Sequence, residues 1–232
     1  MIYEDEGAEK LALEGEFELA IPFSLYAYNN GDVKINVFPS LRADAEEFLS
    51  RFSGDVMFTE GVDWAHRRFR GFLEQHGYST DDETGYFLDY RVEGAHSGLI
   101  LPGTFRVSGG EKLENLTGYD FETLSGYGHI CFALEADGKI VSAACTNYPF
   151  ILADGDQEER IIEIGVETAP EYRRRGYGIS CAAALATELY SRGMDVLYEC
   201  ASGNEGSVAL VKRLGGKLFA KNFCVVGRKT DD

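Results

Sequence analysis

The chain has 232 residues, 39 of them acidic and 22 basic, for a formal net charge of -17. That acidity argues against nucleic acid as a partner, because such binding rests on neutralised phosphates. No apolar run approaches the roughly 20 residues of a bilayer span, and the acidic start, Met1 to Glu6, lacks the basic and apolar regions of a secretory signal. A cytoplasmic protein without a membrane partner is the expectation. Hydrophobic content of 44% and aromatic content of 12% suit a folded core in one large domain or two small ones. Residues 1–103 carry 20 acidic and 8 basic side chains, the remainder 19 and 14. That asymmetry fits two units with different tasks, although a merely solubilising charge accounts for it equally well. The cysteines Cys131, Cys145, Cys181, Cys200 and Cys224 are odd in number and form no C-x-x-C pair. They read as small buried hydrophobes rather than a disulfide framework or a zinc ribbon.

In chain order, Phe17 to Tyr28 and Val33 to Phe38 alternate around Asn29-Asn30-Gly31, the pattern of a β-hairpin. Pro39-Ser40 opens a helix with Leu41, Ala45, Phe48 and Leu49 on one side. A second helix, Val62 to His76, repeats apolar residues at helical spacing, and Tyr86 to Val92 reads as a strand. Gly98 to Gly110 holds four glycines and a proline, which puts the domain break near 103. Next come strands His129 to Glu135 and Lys139 to Tyr148, joined by Ala136-Asp137-Gly138, a strong hairpin signal. A polar loop, Asp154 to Arg160, leads to the strand Ile161 to Glu167. A helix from Ile179 to Ser191 presents Ile179, Ala182, Ala183, Ala186, Leu189 and Tyr190 as its apolar face, and Gly193 stops it. Val196 to Cys200 is a strand, Asn204 caps a short helix ending at Gly215-Gly216, and Leu218 to Val226 is the last strand. The second half thus reads β-β-β-α-β-α-β.

The segment Arg173-Arg174-Arg175-Gly176-Tyr177-Gly178 joins a strand to a helix. The first N–H groups of a helix have no intrahelical partner, and the dipole adds partial positive charge there. Gly176 and Gly178 let backbone approach a bulky ligand. Three arginines together in so acidic a chain point to an anion, and a diphosphate fits best; a solvated turn is the plain alternative. The dinucleotide fingerprint fails because Cys181 stands where its third small residue belongs, and the P-loop lacks its Gly-Lys-Ser/Thr. The four histidines have no metal-ligand spacing, and Asp154, Asp156, Glu158 and Glu159 lack the EF-hand register, so no metal is expected. Asn115-Leu116-Thr117 fits the glycosylation sequon and carries little weight without a secretion signal.

With its strand order and Arg-x-x-Gly-x-Gly turn, the chain resembles the GNAT acyltransferase superfamily over roughly residues 125–228. Two stretches carry the likeness: Glu163 through Arg173, and Asn204 through Leu210 with Leu214-Gly215. The details are most similar to the branch of zwittermicin-A resistance acetyltransferases. The resemblance implies an α/β (α+β) fold with a mixed, mostly antiparallel sheet flanked by helices. A catalytic domain at 104–232 would follow an additional N-terminal α+β domain at 1–103. It further implies acetyl-CoA as co-substrate, its pyrophosphate held by the amides of Arg174, Arg175, Gly176, Tyr177, Gly178 and Ile179, with the Arg173 and Arg175 side chains assisting. Pantetheine would pair with the backbone of Ile164 and Val166, where this strand splays from Val196 to Cys200. Asn204 would bond the coenzyme, cap its helix, or do both. Gly165 reads either as a bulge at that point or as close packing against a neighbour.

Alternation along the strand turns Glu163, Gly165 and Glu167 one way and Ile162, Ile164 and Val166 the other. A carboxylate in an apolar strand is costly unless paired or functional, and burial raises its pKa toward the range of a base. Glu163 matches the position of the GNAT general base and is preferred over a structural salt bridge, with Glu167 the runner-up. The tyrosine that protonates the leaving thiolate in many GNAT enzymes is replaced here by Val211. Tyr198 and Cys200 are substitutes for it, or simply core. The implied activity is N-acetyl transfer to an amine of a small molecule, cationic and antibiotic-like, or of a peptide, by a monomer or a homodimer. The other reading is a catalytically silent acyl-CoA-binding sensor or partner module.

Overall fold

A computed structural model describes residues 1–15, 18–80, 85–108, 116, 129–147 and 161–230. The expected loop Asp154 to Arg160, Tyr148, Asn115 and Phe17 therefore lie outside the described residues. The chain forms two compact units: Met1–Leu88 with Ala201–Gly203 and Phe219–Asp232, and Asp89–Cys200 with Asn204–Leu218. The division falls between Leu88 and Asp89, where the sequence suggests a break near 103. Its last strand also departs from the expected plan, because most of it belongs to the first unit.

The first unit contains β1 (Ile2–Glu4), α1 (Glu6–Glu14), β2 (Leu19–Tyr28), β3 (Val33–Val37), α2 (Arg42–Arg51), α3 (Glu60–Gln75) and β4 (Tyr78–Thr80). Asp5 caps α1 by accepting the Ala8 N–H at 2.9 Å, and Gly15 ends it in the left-handed region. β2 and β3 form the expected antiparallel hairpin, and β1 pairs parallel to β3. The C-terminal strand, β11 (Lys217–Lys229), pairs antiparallel with β2 and with β4. Phe23, Phe48, Phe69 and Phe223 meet in the core of this unit, Phe23 stacking on Phe69 with centroids 4.8 Å apart. Gly227 on β11 fits because it has no side chain. A Cβ there would lie 2.7 Å from Leu73 Cδ2 and 2.9 Å from Tyr78 Cβ. Gly227→Ala should therefore cost about 1–3 kcal/mol by overpacking, read as a fall of several degrees in Tm; an unchanged Tm would show that β11 sits loosely there.

The second unit holds β5 (Phe87–Val92, from Asp89 onward), β6 (Thr104–Arg106), β7 (Cys131–Ala136), β8 (Lys139–Thr146), β9 (Ile161–Thr168), α4 (Tyr177–Ser191), β10 (Asp195–Ala201) and α5 (Glu205–Arg213). Its strands run in the order β5-β10-β9-β8-β7-β6. Only β9 and β10 are parallel among the pairs from β10 to β6. The β7–β8 turn places Asp137 at φ 54° and Gly138 at φ 75°, the two left-handed residues of a tight hairpin. α4 is buried on nearly every side from Gly178 to Ala186. Its alanines, Ala182, Ala183, Ala184 and Ala186, let it lie close to the sheet. Tyr190, expected on its apolar face, is instead 50% exposed. Cys131, Cys145, Cys181 and Cys200 are buried and Cys224 is half-buried, all as free thiols. Among the described residues no helix is long and apolar enough to cross a membrane.

Candidate active site

β9 ends at Thr168, and the chain turns through Pro170–Tyr172 before α4 begins. Tyr172 is buried and its hydroxyl donates to Asp137 Oδ2 at 2.8 Å, which ties this turn to the β7–β8 hairpin. The Arg175 guanidinium lies 5.0 Å from the Tyr172 ring centroid and donates to the Glu171 carbonyl. Arg173 Nε donates to the Thr168 carbonyl at 3.1 Å. Both guanidiniums thus shape the loop that carries them, with further donors left over on each. Arg174 is exposed at φ 62° and Gly176 sits at φ 84°. With these left-handed residues, the backbone N–H groups from Arg174 through Ile179 make no hydrogen bond among the described residues. Successive free amides at a helix N-terminus form a concave anion receptor. No side chain caps α4, so among the described residues none competes for them.

The two glycines of this turn do different work. A Cβ on Gly176 would meet only Leu101 Cδ1, at 3.9 Å, so its role is the left-handed backbone. A Cβ on Gly178 would lie 2.9 Å from Thr168 Oγ1 and 3.4 Å from Val166 Cγ1. Gly178 therefore lets α4 pack on β9, and its Cα is buried. Helix–strand packing is thus a second requirement at Gly178, beside its free backbone N–H.

β9 alternates as expected. Ile162 and Ile164 are buried, while Glu163, Gly165 and Glu167 are half-buried on the other face. Its pairing with β10 spans Ile161↔Asp195 to Glu163↔Leu197 and stops, although both strands continue. Along β9 the backbone groups point alternately to the two neighbours. The Glu163 carbonyl accepts the Asn147 N–H at 2.9 Å, and the Glu167 carbonyl accepts the Ser142 hydroxyl. Odd-numbered residues therefore face β8 and even-numbered ones face β10, which still pairs with the Ile164 N–H and departs beyond it, leaving the Ile164 C=O and the N–H and C=O of Val166 without a β10 pairing. The β8–β9 register runs without a shift through Cys145↔Gly165, so no bulge forms at Gly165.

Glu163 is held at two points by Asn147, whose backbone N–H meets its carbonyl and whose Nδ2 donates to Oε1 at 2.5 Å. Burial pushes the Glu163 carboxyl above the usual carboxylate range; the Asn147 hydrogen bond pulls it back, and the charge of Glu199 adds to the rise. Glu199 lies two residues beyond Leu197 on β10, on the face that Glu163 shares. Neither Asn147 nor Glu199 is singled out by sequence reasoning. Glu199 carries the same signal as Glu163, a carboxylate between strand hydrophobes. Asn147 has none, because only the β8–β9 register brings it to Glu163.

Residues 117–220 match the family model of GNAT acetyltransferases. A structure from Novosphingobium aromaticivorans, assigned to the GNAT acetyltransferases, superimposes with a TM-score of 0.52 at 17% identity, over 66% of this chain and 69% of that one. The fold is the GNAT fold. A GNAT-family acetyltransferase from Colwellia psychrerythraea gives a TM-score of 0.46 at 15% identity, covering 63% of this chain and 58% of its own. No curated protein matches the chain.

The remaining positions on which the sequence resembles GNAT proteins sit on β10 and α5. Asn204 caps α5, its Oδ1 accepting the Ser207 N–H at 3.1 Å. Val211, where many GNAT enzymes have their tyrosine, is fully buried in the core. Tyr198 is 4% exposed; burial pushes its phenol up, partly offset by a hydrogen bond with the Ser207 side chain. Cys200 is buried as well, and burial together with the charges of Asp89 and Glu199 pushes its thiol up. Both groups therefore hold their protons at neutral pH.

Proposed function

We propose that the chain is an acetyl-CoA-dependent N-acetyltransferase of the cytoplasm, acting on an amine of a small molecule or peptide. The observation that carries this reading is the run of free amides from Arg174 through Ile179 at the start of α4. That receptor suits a diphosphate, and the backbone edge that β10 leaves, from the Ile164 C=O through Val166, suits the amide-bearing arm attached to it. GNAT family members use acetyl-CoA as co-substrate. The resemblance to zwittermicin-A resistance acetyltransferases and the net charge of -17 support a cationic, antibiotic-like acceptor.

Acetyl-CoA supplies an activated thioester. The amine nitrogen forms its bond to the thioester carbonyl carbon, the C–S bond breaks, and the thiolate leaves with the electron pair. Glu163 takes the proton from nitrogen, directly or through a water. Burial raises its pKa toward the working range of a base. Glu167, half-buried further along the same face, is the second candidate. Backbone N–H groups of β9 polarise the carbonyl oxygen. A thiol with an ordinary pKa near 8.5 leaves without an obligatory acid, so buried Tyr198 is not required to supply a proton.

Calorimetric titration with acetyl-CoA, followed by thiol release across an amine panel, tests this reading. Micromolar binding with amine-dependent thiol release is the expected result. The buried Val211 favours a second reading, an acyl-CoA-binding module without turnover. Binding without thiol release would select that module, and no binding at millimolar coenzyme would remove both.

A further inference from the structure

We infer that Asn147 is the positioning residue of Glu163: it fixes the carboxylate so that Oε1 is occupied and Oε2 faces the acceptor amine. The inference rests on the reading of Glu163 as the base, and it adds a residue that the fold does not by itself assign. Asn147 immediately follows β8 at Thr146, and its backbone N–H extends the β8–β9 ladder onto the Glu163 carbonyl at 2.9 Å. Its Nδ2 then closes on Oε1 at 2.5 Å. The backbone bond fixes Asn147 beside Glu163, and the side-chain bond then restricts the rotamers of the glutamate through one exposed asparagine. A charge-assisted hydrogen bond of this kind is among the stronger side-chain contacts.

Two groups from the neighbouring strands act on this carboxyl. Asn147 from β8 favours the ionised form, and Glu199 from β10 opposes it, while burial also opposes it. Asn147 therefore counteracts two effects that favour the protonated form. The sign follows directly. Asn147→Ala removes the donor and raises the midpoint of Glu163, so more of the enzyme is protonated and inactive at a given acidic pH. Asn147→Asp also adds a negative charge and raises it further.

The test uses the full chain and two readouts. The first is the carboxyl ¹³C titration of Glu163, assigned by the loss of its signal in Glu163→Gln. Its midpoint is expected to rise by about one pH unit in Asn147→Ala, to rise more in Asn147→Asp, and to return part-way in Asn147→Gln, which keeps a donor. The second readout is the pH profile of kcat/KM with the best acceptor. Its acidic limb is expected to shift by the same amount, with kcat lowered and the KM for acetyl-CoA unchanged. A purely structural asparagine would move neither the midpoint nor the limb. Every variant keeps the backbone N–H that pairs β8 with β9, and the side chain lies at the surface, so folding is not at issue. An unchanged midpoint in Asn147→Ala overturns the inference. A shifted midpoint with an unmoved limb supports the clasp and overturns Glu163 as the base instead.

Discussion

Replacing Glu163 by glutamine is expected to lower kcat roughly 10²–10⁴-fold while leaving the affinity for acetyl-CoA unchanged. The substitution is isosteric, and the amide oxygen of glutamine still accepts the hydrogen bond that Asn147 Nδ2 gives to Oε1. The clasp and the strand survive, and only the capacity to take a proton is lost. Stability should hold or rise slightly, because burial already disfavours the charged form and the neutral amide avoids that cost. A fall in turnover without a fall in Tm or in coenzyme binding is the combined signature. Glu167→Gln, with its side chain on the same face, provides the comparison. If Glu163→Gln turns over normally and Glu167→Gln does not, the base moves to Glu167.

The sequence was most legible where local chemistry dictates structure. Asp137-Gly138 forces a tight hairpin because both residues accept positive φ. Likewise, alternation in Ile161 to Thr168 orients Glu163 and Glu167 before any partner strand is known. Gly176 marks the turn into α4, whose N-terminal amides follow from helix geometry alone. What escaped the sequence depends on non-local pairing. β1 and β6, at three residues each, lack enough alternation to read, and each exists because a longer strand offers its edge. β11 continues directly from a helix of the second unit, yet it pairs with β2 and β4, which only the tertiary arrangement decides. A bulge, one of the two readings of Gly165, is absent from the β8–β9 pairing: β8 stays in register, and the gap opens because β10 departs. Asn147 and Glu163 are 16 residues apart in sequence and adjacent only through that register. Gly178, read from the sequence for its ligand, is also required by its packing against Thr168.

That packing decides how the anion receptor should be tested. Gly178→Glu would abolish coenzyme binding, but its Cβ alone, 2.9 Å from Thr168 Oγ1, would push α4 off β9. Lost binding in that variant does not separate a lost ligand contact from a displaced helix. Gly176→Asp separates them. A side chain at Gly176 meets open space apart from Leu101 Cδ1 at 3.9 Å, and aspartate is among the residues that best tolerate positive φ. The strain costs about 1–2 kcal/mol, a Tm decrease of a few degrees. The new carboxylate stands among the free amides that the diphosphate would use. At an effective dielectric near 20, like charges about 4–5 Å apart repel by roughly 3–4 kcal/mol, so acetyl-CoA affinity should fall at least about 100-fold. Raising the salt should recover part of that loss, because partly exposed charges are screened. Wild-type affinity in Gly176→Asp would remove the α4 N-terminus as the diphosphate site. Lost affinity that salt does not restore would point to a distorted loop rather than to charge.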